Sequence, residues 1–90
     1  MCLGIPGQVI EMVDPEQYIA KVDVSGVRRD ISVRLLAEHG IGAGDWVLVH
    51  VGFALALIDE DEAQLTLDQV RKMGKDYTDE LDAFRTSEIA

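Results

Sequence analysis

One cysteine, two prolines, one tryptophan, two tyrosines and two phenylalanines are all that this 90-residue chain holds of those types. A lone cysteine cannot close an internal disulfide, which fits a reducing compartment and leaves Cys2 as a free thiol. Basic residues are also scarce: 8 Lys and Arg face 17 Asp and Glu, for a net charge of -9. Such a balance repels nucleic acid and anionic membranes unless the basic groups are segregated. Arg28, Arg29 and Arg34 form the only basic cluster before the C-terminal helix, and Asp23 and Asp30 dilute it. No apolar run approaches the ~20 residues of a membrane span, and the N-terminus lacks the charged start and apolar stretch of a signal peptide. The expectation is a cytoplasmic protein without nucleic-acid or membrane partners. There is no Cys-x-x-Cys, His-Glu-x-x-His or G-x-S-x-G either, so a self-sufficient enzyme is not expected.

What is present is enough for one core. Hydrophobic residues make up 48% of the chain and charged residues 28%, ordinary globular usage. Ninety residues accommodate one domain, since single cores are built from roughly 50 to 200 residues. In the first two thirds, apolar residues alternate between Gly, Pro, Asp and Ser, the pattern of short strands. Val9 to Val13 reads as a first strand, closed by Asp14-Pro15. Ala20, Val22 and Val24, then Val27, Arg29, Ile31 and Val33, read as a hairpin turning at Ser25-Gly26. Gly40, Gly42 and Gly44 mark a flexible connection, and Trp46 to Val51 is the most β-prone run. Gly52 predicts a bulge or sharp bend before Phe53 to Ile58. Five or so strands in so short a stretch suggest a closed barrel, because closure removes exposed edges. The predicted class is mainly β, a small OB-like barrel followed by an amphipathic helix.

That helix is predicted over residues 60–73. Asp59 caps it with Glu62 at the capping-box position, and Arg71 and Lys72 sit in the last turn, where cations favour the helix dipole. Gly74 is its stop, and Ala63, Leu67, Val70 and Met73 share one stripe. Residues 1–74 are thus expected to form the domain. Residues 75–90, acidic and poor in apolar groups, are expected as a mobile tail in which Leu81 and Phe84 could nucleate a short helix on a partner.

Few residues offer chemistry. Met removal before a small residue would leave Cys2 first, placing a thiol of pKa near ~8.5 beside an amine near ~7.7–8.0, two ligands for a soft metal. The ammonium also favours the thiolate. On position alone, a cysteine that merely follows the start codon is the favoured reading. His50, on the same side of its strand as Trp46 and Leu48, reads either as a ligand or proton acceptor near Cys2 or as a strand histidine satisfied by a backbone carbonyl. His39 reads as solvated. Asp59 to Glu62 is explained by capping and lacks EF-hand spacing. Gly4-Ile5-Pro6-Gly7 reads as a fixed turn presenting Cys2.

Two motifs then carry a resemblance. Met1-Cys2-Leu3-Gly4-Ile5-Pro6-Gly7-Gln8 and Gly44-Asp45-Trp46-Val47-Leu48-Val49-His50-Val51-Gly52-Phe53-Ala54 resemble the N-terminal and central signatures of the HypC/HupF/HybG group of nickel-iron hydrogenase maturation chaperones. The likeness runs from Met1 to about Met73. It implies a metallochaperone without its own catalytic centre that works with the maturation protein HypD and meets the hydrogenase large-subunit precursor. The implied cargo is iron carrying cyanide and carbon monoxide, transiently bound. Cys2 and His50 would then serve the metal, and Cys2, Leu3, Gly4, Ile5, Pro6, Gly7 and His50 the partner. Two other classes compete: an OB-like nucleic-acid module, opposed by charge and few aromatics, and an N-terminal nucleophile hydrolase, opposed by the small scaffold.

Overall fold

The structure, a computed structural model, describes residues 4–72 and 74–86. Five strands form it: β1 (Ile5–Asp14), β2 (Ile19–Val24), β3 (Val27–Ser32), β4 (Trp46–His50) and β5 (Phe53–Ile58). They close into a barrel in the order β1-β2-β3-β5-β4, with β4 returning to β1. A 3-10 helix, Arg34–His39, bridges β3 and β4, and helices α1 (Glu60–Lys72) and α2 (Lys75–Thr86) follow the strands. The OB-like expectation is met. All neighbours are antiparallel except β3 and β5, which run parallel and pair only at Ser32 and Phe53.

The alternation read from the sequence is the alternation that builds the core. Ala20, Val22 and Val24 of β2 point inward with Val47 and Val49 of β4, each at most 1% exposed. Each such valine contributes roughly 1.5–3 kcal/mol when fully buried. The β2–β3 turn is the two-residue hairpin expected, with Ser25 at φ 51° and Gly26 at φ 88°. Positive φ at both central positions is the type I′ geometry that matches strand twist. At α1, the Asp59 carboxylate accepts the Glu62 backbone N–H at 2.7 Å, and Gly74, at φ 63°, ends the segment. Ala63 and Val70 are buried on the α1 stripe, while Leu67 is only half-buried. Met73 lies outside the described residues.

Three expectations change or sharpen. First, β1 begins at Ile5, not Val9: Ile5, Pro6 and Gly7 pair with Val49, Leu48 and Val47, so the supposed turn is strand. Gly7 is needed there for space, because a Cβ would lie 2.6 Å from a Val22 methyl and 2.8 Å from a Val24 methyl. Long-range pairing overrides the local turn signal of Pro and Gly. Second, the sharp bend expected at Gly52 is present and is a full reversal of the chain. Val51 and Gly52 form a tight hairpin turn, with His50 opposite Phe53 and Val51 at φ 56°. The bulge lies further along, where Leu48 opposes Ala56 but Val49 opposes Ala54. Third, residues 75–86 of the expected tail are helix α2, and Phe84 is completely buried in the core with Leu81 packed against it. Arg29 fastens its end by donating to the Arg85 carbonyl at 2.6 Å. Residues 87–90 lie outside the described residues.

Candidate functional site

The site builds up from the seam between β1 and β4. The antiparallel register places Ile5 beside Val49, so the chain leading back to the N-terminus emerges at the His50 end of β4. Gly4 is buried against the Val49 backbone: a Cβ on Gly4 would be 2.9 Å from the Val49 carbonyl oxygen. Its φ of 152° belongs to the range that favours glycine. Both demands, space and backbone angle, fix the entry of the N-terminal segment. Cys2 and Leu3 lie outside the described residues.

Ile5, Pro6 and Gly7 are buried in the barrel wall, so they hold the segment and have no surface to offer. His50 is exposed on the last residue of β4, opposite Phe53 across the hairpin. The Ser32 N–H donates to the Gly52 carbonyl at 2.9 Å and ties the hairpin turn to the end of β3. The residue read as candidate ligand therefore sits on a braced rim. His39 is exposed on the 3-10 helix. Among the described residues no group of three or more His, Cys, Asp or Glu side chains gathers as a metal site.

The basic cluster is engaged internally. Arg28 pairs with Asp23 at 3.0 Å, Arg29 holds the Arg85 carbonyl, and the Arg34 guanidinium stacks over the Tyr18 ring at 5.2 Å. No helix among the described residues is long and apolar enough to cross a membrane.

The rim also carries apolar side chains. Phe53, Leu55 and Leu57 are exposed on β5, while Ala54 is buried. The signal was the run Phe-Ala-Leu-Ala-Leu, in which the small residue is taken for the core and large ones are left outside. A run in which every residue is apolar has no polar alternation to mark which members face the core.

Fold and rim together define a small closed five-stranded barrel followed by two helices. The chain belongs to the HupF/HypC family, which residues 1–70 match. It is 48% identical over 80 residues to the hydrogenase maturation factor HybG of Escherichia coli K12, covering 87% of this chain and 98% of that protein. It is 48% identical over 77 residues to the hydrogenase maturation factor HypC of Rhodobacter capsulatus, covering 83% and 80%. With HypC of Escherichia coli K12 it shares 49% over 77 residues, covering 81% and 82%.

Proposed function

We propose that this chain is a cytoplasmic hydrogenase maturation factor that carries, or helps assemble, an iron fragment bearing two cyanides and one carbon monoxide. It works with HypD and passes the fragment to the nickel-iron hydrogenase large-subunit precursor. The relatives are named as maturation factors. The observation that carries the reading is the glycine-only contact of Gly4 with Val49, which directs the N-terminal segment to the strand end bearing His50.

In this reading Cys2 supplies a thiolate, a soft ligand suited to iron with strong-field partners, and His50 an imidazole, which also suits iron. The iron fragment is cargo, and the barrel contributes placement only. No step of bond making is assigned to this chain, in keeping with a chaperone that has no catalytic centre. Buried Ile5 to Gly7 anchor the start of β1 in the barrel wall.

The test is purification of the protein from hydrogenase-expressing cells, with partner identification by mass spectrometry and infrared spectroscopy of the purified material. Cyanide and carbonyl bands together with HypD or the large-subunit precursor are the expected result. A partner set without either protein would overturn the reading.

A further inference from the structure

Seven large hydrophobic side chains are prominently exposed among the described residues, and five of them fall on two neighbouring segments. Val51, Phe53, Leu55 and Leu57 lie on the β4–β5 hairpin, and Leu35, 64% exposed, lies on the 3-10 helix, which packs directly against β5. The helices leave this side uncovered. Helix α1 lies chiefly on β1, and α2 on β1, β3 and β4. β5 also pairs with β3 only at Phe53, so Ala54 to Ile58 have a strand partner on one side alone. Contiguous apolar surface beside a half-paired strand is the kind of surface that proteins cover.

We propose that this side, Leu35 with Val51, Phe53 and Leu55, docks a folded partner protein through an apolar patch rimmed by lysine and arginine. The rim supplies the charge argument. Glu38 is exposed on the same short segment as Leu35, just past the kink at Leu36. Exposed Asp59, Glu60, Asp61 and Glu62 close the far end of β5. Arg34, next to Leu35 in the chain, is turned onto the Tyr18 ring. The patch is continuous with the candidate site, because Phe53 is the cross-strand partner of His50. A partner seated here has its surface at the exit of the N-terminal segment. The proposal rests on the maturation reading for the identity of that partner and adds the surface by which it is held.

The experiment titrates the full chain with purified HypD and, separately, with purified large-subunit precursor, at two salt concentrations. Leu35→Glu and Phe53→Glu are compared with Cys2→Ser and wild type, with thermal midpoints for all. The expected result is wild-type binding that weakens with salt, at least tenfold weaker binding by either patch variant, and unchanged midpoints. A Glu60→Lys, Asp61→Lys double variant should weaken binding with its fold intact. Wild-type affinity in both patch variants would overturn the proposal while leaving the maturation reading in place. Failure of the wild type to bind either protein would remove both. A concentration-dependent dimer of the wild type that the patch variants abolish, with partner binding untouched, would assign the surface to a second copy and overturn the proposal.

Discussion

Gly4 and Val49 meet backbone to backbone, so closely that a single added methyl on Gly4 would lie 2.9 Å from the Val49 carbonyl oxygen. Gly4→Ala meets two obstacles at once, that contact and a φ of 152°. Backbone strain of this kind costs of order 1–3 kcal/mol. Urea denaturation should show a loss in that range, and hydrogenase maturation in cells should fall with it, because the N-terminal segment loses its guided exit. Gly26→Ala is the control: its φ of 88° is also unfavourable, but nothing lies within 4 Å, and it is remote from the seam. It should lose stability without a specific loss of maturation.

Phe84 tests whether α2 belongs to the domain. It is 0% exposed and lies in the core cluster with Val70. Phe84→Ala should cost about 3–5 kcal/mol, a large share of the stability of so small a protein. Leu67→Ala on α1, only half-buried, should cost less. Calorimetric midpoints rank the two, and an unchanged midpoint for Phe84→Ala would mean that α2 does not hold the barrel.

Much of the barrel was legible because its strands obey local rules. Ala20, Val22 and Val24 alternate with Lys21 and Asp23, and Ser25-Gly26 turns the chain as its residue types demand. Three features were not legible because distant partners decide them. Pro6 and Gly7 look like a turn until β4 pairs with them. Val51-Gly52 is a reversal only because Phe53 returns beside His50. Phe84 sits in an acidic segment of low apolar content, and one aromatic with a fitting cavity outweighs that composition. For the candidate site, Cys2 and His50 were conspicuous as residue types, whereas the pairing of Ile5 with Val49, next to His50, follows from the β1–β4 register, a long-range fact.

His50→Gln separates chemistry from scaffolding. Glutamine keeps hydrogen-bonding capacity of similar reach and removes the imidazole. The residue is exposed at a strand end, so the fold should keep its stability within about 0.5 kcal/mol, read by urea denaturation. Hydrogenase maturation should nonetheless drop, and the purified protein should carry weaker cyanide and carbonyl bands. Normal maturation by this variant would return His50 to a purely structural role.

The proposed function depends most on Cys2 being first in the mature chain and used as a thiolate, and intact-mass measurement should accordingly find Met1 absent. Cys2→Ser keeps the size and the expected Met removal, but a hydroxyl stays protonated near neutral pH and binds soft metal poorly. Iron loading and hydrogenase maturation should therefore fail. Stability should not change, because the anchoring of this end is carried by Gly4 and Ile5 within the barrel wall. An N-terminal tag should reproduce the defect by taking the free amine from Cys2 and lengthening the segment that must reach the partner. A tag placed after Ala90 leaves that end alone and should be tolerated. The comparison of the two tags distinguishes a requirement for the terminus from a general sensitivity to fusion. A Cys2→Ser protein that still carried the iron fragment and supported normal hydrogenase activity would show that the thiol is not the ligand.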